Sequence, residues 1–134
     1  MKTLTAVLLL SLALPAAAFD LATRITRDGD STRLETSGYT KIVLLREETA
    51  LAGSIAVSGR LSVSGTASVA MWSRVDGRYY FSRLPRLQNV SDRDDLDFEI
   101  PFEAGDKTVT EVLIEVEMPG TGSVTIDSPK LRGR

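Results

Sequence analysis

The stretch that decides the fold runs from residue 96 to residue 127 and reads LDFEIPFEAGDKTVTEVLIEVEMPGTGSVTID. Apolar and polar residues alternate in three runs within it, LDFEIPF (96–102), TEVLIEVEM (110–118) and SVTID (123–127). Such alternation places the apolar side chains on one face, which is typical of a half-buried β-strand. The connecting segments EAGDK and PGTG carry the glycines of hairpin turns. The stretch therefore predicts three consecutive antiparallel strands.

The residues before this stretch continue the same pattern. Short apolar runs with turn signals between them recur, and no segment shows a sustained helical period. These runs are LATRIT (21–26), RLETS (33–37), YTKIVLLRE (39–47), SIAVSGRLSVSG (54–65), TASVAMWSRVDG (66–77) and RYYFSRL (78–84). About eight or nine short strands in a chain of this length predict an all-β fold, a β-sandwich.

The first residues have the layout of a secretory signal peptide. MKTLTAVLLLSLALPAAA (1–18) has one basic residue, an apolar run and small residues at Ala16 and Ala18, as a cleavage site requires. A membrane anchor is the alternative, but the apolar run is too short to cross about 30 Å of hydrocarbon. The sequence predicts an exported protein, periplasmic or extracellular, with residues 19–134 as one domain and no membrane span in the mature chain.

Composition restricts the chemistry. The 134 residues include no His and no Cys, and the formal net charge at pH 7 is −2. A Ser-His-Asp triad, a Cys-His pair and imidazole or thiolate metal sites are therefore excluded. A slightly negative net charge argues against a nucleic-acid partner, because binding to phosphates requires a positive surface. Carboxylate chemistry and calcium binding remain, but a compact sandwich offers little cleft for a pair of catalytic acids. We expect a protein that is not an enzyme.

Four segments together carry a resemblance to a known family. They are AGSIAVSGRLSV (52–63), SVAMWSRVDG (68–77), DFEIPFEAG (97–105) and GTGSVTIDSPKL (120–131). In this order the chain resembles the galactose-binding-like jelly roll used by many carbohydrate-binding modules. The resemblance implies a jelly-roll β-sandwich and a non-catalytic, carbohydrate-binding-like function with a glycan partner. The alternative is a structural or protein-interaction domain of the cell envelope that keeps the fold without the sugar site.

Three residues are the candidates for a ligand site. Alternation places Trp72 and Arg74 on one face of their strand, opposite the aliphatic Val69, Met71 and Val75. An aromatic ring beside a guanidinium suits a sugar, because the ring stacks on C–H groups and the guanidinium donates to hydroxyls. Tyr80 is predicted to be exposed and to extend this face. The competing interpretation is that Trp72 belongs to the core or lies under a loop, and that Tyr80 belongs to a half-buried hairpin.

Asp28, Asp30 and Asp127 are candidate ligands for a structural calcium. The resemblance implies that Asp127 caps the turn after its strand by accepting backbone N–H groups, and that a carboxylate at this end can ligate calcium. Solvated turn residues are the plainer interpretation of all three aspartates. A second alternating set, Glu111, Glu115 and Glu117, is predicted to form a solvent-facing row.

Overall fold

The structure is a computed structural model that describes residues 2–3, 5–6 and 23–134. The predicted signal peptide lies outside the described residues except at residues 2–3 and 5–6. The strands are β1 (Lys2–Thr3), β2 (Thr5–Ala6), β3 (Arg24–Asp28), β4 (Ser31–Thr36), β5 (Thr40–Val75), β6 (Arg78–Ser82), β7 (Val90–Met118) and β8 (Gly122–Gly133). A 3-10 turn, Pro85–Leu87, precedes β7. No helix in the described residues is long and apolar enough to cross a membrane.

The long strands β5 and β7 each contribute to two sheets, so that residues 23–134 form a sandwich. The four-stranded sheet has the order 40–52, 108–118, 68–75 and β6. The five-stranded sheet has the order β3, β4, β8, 54–64 and 90–103. All pairings are antiparallel. The all-β class and the jelly-roll sandwich predicted from the sequence are confirmed.

β5 changes from one sheet to the other at glycine. Gly65 has a φ of +87°, and a Cβ at this position would lie 2.8 Å from the carbonyl oxygen of Thr121. Any other residue would have to adopt a left-handed conformation and displace a neighbouring backbone. The glycine that separates the runs 54–65 and 66–77 in the sequence is therefore one of two corners in β5, and the other lies at Gly53, with a φ of +74°.

The core lies between the two sheets and contains the inward side chains of both. Alternation explains its composition, because every second residue of each strand segment points inward. The five-stranded sheet contributes Leu34, Ile55, Val57, Leu61, Ile100, Val124 and Ile126, and the four-stranded sheet contributes Ile42, Val69, Met71, Val112, Ile114 and Val116.

The end of the chain differs from the prediction for Asp127. β8 does not stop at Asp127 but continues to Gly133, and Leu131 is fully buried. Ser128, with a φ of +50°, forms an irregularity where the register with β5 shifts, and its N–H donates to the carbonyl oxygen of Asp30 at 2.9 Å. The prediction of a strand-ending cap at Asp127 is wrong, because the backbone of the neighbouring turn accepts the bond expected of its carboxylate.

Candidate functional site

The outer face of the four-stranded sheet carries two rows of side chains, each of which crosses all four strands. The register sets these rows, since residues paired across antiparallel strands point to the same face. One row is Arg46, Leu113, Trp72 and Phe81, and the next is Glu48, Glu111, Arg74 and Tyr79.

Three aromatic side chains cluster on this face, and we call Trp72, Tyr79 and Phe81 the aromatic patch. The ring centroids of Trp72 and Phe81 are 4.8 Å apart, with 56° between the planes. Trp72 is half-buried, whereas Tyr79 and Phe81 are each 45% exposed. Tilted contact of this kind is favourable between aromatic rings. The patch is thus a packed apolar surface that remains open to solvent.

The structure brings together two of the three predicted ligand residues. Trp72 and Arg74 share the outer face, as alternation predicts. Tyr80 pairs with the inward-facing Ser73 and points to the opposite side, where its ring lies 5.9 Å from that of Phe102. The predicted place of Tyr80 beside Trp72 is therefore wrong.

The turn that precedes β6 explains this difference. Asp76 and Gly77 both have positive φ, 52° and 77°, and they form a two-residue hairpin turn between Val75 and Arg78. A turn of this length fixes the register so that Tyr79 pairs with Arg74 and Phe81 pairs with Trp72, all on the outer face. The Asp-Gly pair in the sequence is a signal that could have identified the correct aromatic residues.

A buried carboxylate lies beside the patch. Glu111 is only 2% exposed and accepts hydrogen bonds from Nε of Arg46 and from the hydroxyl of Tyr79. The prediction that Glu111 faces solvent with Glu115 and Glu117 is wrong for this residue. It does lie on the outer face, but side chains from two other strands cover it.

The ionisation of Glu111 follows from these contacts. Burial acts to raise the pKa of Glu111, but the hydrogen bonds from Tyr79 and Arg46 and the charges of Arg46 and Arg74 outweigh it and lower the pKa. The hydrogen bond to Glu111, with burial and the carboxylate charge, raises the pKa of Tyr79. At neutral pH, Glu111 is therefore an anion that holds a neutral tyrosine and a cationic arginine.

Arg74 extends the site toward a depression at one end of the sheet. Its Cζ lies 5.8 Å from the ring centroid of Tyr79, within the range of a cation–π contact. The depression has a volume of about 640 Å³, and Lys107 is paired with Asp76 there at 2.9 Å. The residues around it are Arg74, Asp76, Gly77, Lys107, Thr108 and Thr110. A shallow, open depression lined by these residues therefore lies beside Arg74.

The other end of the outer face carries two carboxylates, Glu115 and Glu117, and the exposed Lys41, which pairs with Glu117 across the strands. Tyr39 is 60% exposed, and its hydroxyl donates to Oε2 of Glu117 at 2.8 Å, a contact that raises the pKa of Tyr39. Glu115 is half-buried on the same face, between Glu117 and Leu113 in the strand. This end of the outer face is therefore polar and of mixed charge.

The predicted calcium ligands lie on the five-stranded sheet. Asp28 and Asp127 both pair with Ser31, one on each side of it, and Asp28 and Asp30 are exposed. In the part of the chain that the structure describes, no three acidic side chains converge as a metal ion requires. Calcium binding by Asp28, Asp30 and Asp127 stays a prediction from the sequence.

Comparison with solved structures shows which proteins share this fold. TmCBM61 in complex with β-1,4-galactotriose superposes with a TM-score of 0.60 at 12% identity, covering 84% of this chain and 83% of that chain. A CBM4 structure superposes with a TM-score of 0.53 at 12% identity, covering 89% and 83%. A chain of infectious bursal disease virus Gt strain superposes with a TM-score of 0.50 at 15% identity, covering 84% of this chain and 32% of the viral chain.

These similarities define a class. The protein has the jelly-roll β-sandwich fold found in carbohydrate-binding modules, which confirms the resemblance seen in the sequence. No protein-family model matches the chain, and no curated protein matches it. The viral chain shows that this fold also occurs outside such modules, so that function must be argued from the site.

Proposed function

We propose that the protein is an exported, non-catalytic glycan-binding domain whose ligand lies on the outer face of the four-stranded sheet. The observation that carries the proposal is the open aromatic patch with Arg74 beside it. The C–H faces of a sugar ring stack on aromatic rings, and its hydroxyls accept hydrogen bonds from a guanidinium. The predicted signal peptide supports export to the periplasm or the extracellular space, where such ligands occur.

The hydrogen bonds of Glu111 support binding because they fix the surface before a ligand arrives. Tyr79 belongs to the edge strand β6, and its bond to Glu111 crosses the segment 68–75 to reach the centre of the sheet. A ring held in this way loses less conformational freedom on binding.

The same contacts argue against glycoside hydrolysis. A hydrolase needs two carboxyl groups that flank the scissile bond at about 5–9.5 Å from each other. The carboxylate nearest the patch, Glu111, is buried and already bonded to Arg46 and Tyr79. It is therefore a positioning residue for the aromatic surface.

A protein-interaction domain of the cell envelope is the second candidate. It is favoured by the second aromatic pair, Tyr80 and Phe102, which lies away from the patch. Tyr80 is 44% exposed, about as much as Tyr79 and Phe81. A partner protein covering both sides of β6 would bury all of these rings.

A glycan array with the purified protein distinguishes the two candidates. Wild type is compared with Trp72→Ala and with Tyr80→Ala, a matched control that removes an aromatic ring from the other side of the same hairpin. Glycan binding that is lost in W72A and retained in Y80A supports the proposal, provided that both variants keep a cooperative unfolding transition. Absence of wild-type binding to every glycan contradicts it and favours the protein-interaction candidate.

A further inference from the structure

The aromatic patch has a guanidinium at each end. Cζ of Arg74 lies 5.8 Å from the ring centroid of Tyr79, and Cζ of Arg83 lies 5.6 Å from that of Phe81. Tyr79 and Phe81 are alternate residues of β6, so their side chains point to the same face. The two cations therefore flank the apolar surface on which a sugar ring would stack.

Neither guanidinium forms an ion pair within 4.0 Å among residues 23–134, although Arg74 pairs with Glu111 across the strands and their charges interact. Four other arginines have a carboxylate within 4.0 Å, namely Arg33 with Glu35, Arg46 with Glu111, Arg60 with Asp97 and Arg132 with Glu99. Arg74 and Arg83 instead contact the faces of aromatic rings. Their charge is available to a ligand.

The acidic groups of this face do not neutralise the patch. Glu111 is buried and bonded to Arg46, which also lies 3.9 Å from Glu48. Glu115 and Glu117 lie farther along the strand, toward Tyr39. The formal charge of the whole chain is −2, so the positive charge at the patch is a local feature.

We infer that the ligand is an acidic saccharide, a chain that carries carboxylate or sulfate groups on its sugar rings, bound with these groups on Arg74 and Arg83. The inference rests on the proposed function and specifies its substrate class. A guanidinium donates two parallel hydrogen bonds to a carboxylate or sulfate, and these are stronger than bonds to a neutral hydroxyl.

Isothermal titration calorimetry with four saccharides tests the inference. Oligogalacturonate is compared with neutral β-1,4-galacto-oligosaccharide, and dextran sulfate with neutral dextran, so that carboxylate and sulfate are distinguished. We expect at least one charged saccharide to bind about tenfold or more tightly than its neutral counterpart. Raising the salt concentration should weaken that binding, because exposed charges are screened.

Matched arginine variants test which guanidinium groups bind the charged saccharide. Arg74→Gln and Arg83→Gln should each weaken binding of the charged saccharide about tenfold. Arg60→Gln removes the same charge from the five-stranded sheet, where Arg60 pairs with Asp97 at 3.2 Å, and should leave the affinity unchanged.

The outcomes separate this inference from the proposed function. Equal affinity for charged and neutral saccharides, lost in Trp72→Ala but not in Arg74→Gln or Arg83→Gln, overturns the inference and leaves glycan binding standing. No Trp72-dependent binding to either charged saccharide overturns the inference, and the glycan array then decides the proposed function separately. Binding to vesicles of anionic phospholipid without binding to any saccharide overturns both and identifies a membrane surface as the ligand.

Discussion

The hydroxyl of Tyr79 donates a hydrogen bond to the buried carboxylate of Glu111, across the strand segment that separates them. This contact joins the edge strand β6 to the centre of the four-stranded sheet. It ties the stability of the fold to the arrangement of the aromatic patch, because the same tyrosine belongs to both.

Removing the carboxylate should destabilise the protein. Glu111→Ala leaves Arg46 and Tyr79 without their acceptor, and we expect it to lower the free energy of unfolding by about 2–3 kcal/mol. Urea denaturation measures the change. Glu115→Ala is the matched control on the same strand and face, and it should change the free energy by about 0.5 kcal/mol or less. Equal effects of the two substitutions would contradict the role given to Glu111.

Acid should remove the contribution of Glu111. Its pKa is lowered in the folded protein, so its stabilising effect is present above the unfolded-state value of about 4.3 and is lost as the pH falls through the lower folded value. We expect wild type to lose more stability than Glu111→Gln when the pH is lowered from about 5 to about 3. Glu99 and Glu103 also have lowered pKa values, but both remain in the variant, so the difference isolates Glu111. Parallel pH profiles for the two proteins would show that Glu111 contributes nothing.

Gly65 should not tolerate a side chain. Gly65→Ala combines a φ of +87° with a Cβ only 2.8 Å from the carbonyl oxygen of Thr121, and we expect a loss of about 2 kcal/mol or more in the free energy of unfolding. Gly120→Ala is the control, since its Cβ would meet nothing within 4 Å and its φ is not positive. Thermal and urea unfolding of both variants provide the comparison. A fully stable Gly65→Ala protein would mean that the corner of β5 is built differently.

Calcium binding has a direct thermal test. An ion held by Asp28, Asp30 and Asp127 would bind only the folded protein and raise its Tm, and Asp127→Asn would abolish that rise. Differential scanning calorimetry in calcium and in EGTA measures the difference. The same Tm in both solutions would reject this prediction from the sequence.

The fold followed from features that are local in sequence. The alternation in residues 96–102 and 110–118 sets which side chains are buried, and Gly65 marks a change of sheet that no other residue allows. The same local rules placed Trp72 and Arg74 on one face. Alternation relates residues within one strand, so the shared face of Trp72 and Arg74 could be predicted from the sequence.

The remainder of the site depends on contacts between strands. Glu111 occupies an outward position in its own strand, and only the register with Arg46 and Arg74 and the reach of Tyr79 show that it is buried. Alternation alone does not say which face of β6 joins Trp72, so it does not separate Tyr79 from Tyr80. The Asp76–Gly77 turn places Tyr79 on that face. The cap predicted at Asp127 does not form, because the bulge at Ser128 lets β8 continue past a Ser-Pro pair.

The central claim is that a glycan lies on the aromatic patch, and the emission of Trp72 tests it most directly. Trp72 is the only tryptophan in the chain, so its fluorescence reports on this site alone. We predict that a bound saccharide changes the emission of Trp72 and protects it from acrylamide quenching, in wild type and in Tyr80→Ala alike. A saccharide that binds by calorimetry but leaves both emission and quenching unchanged would contradict the account.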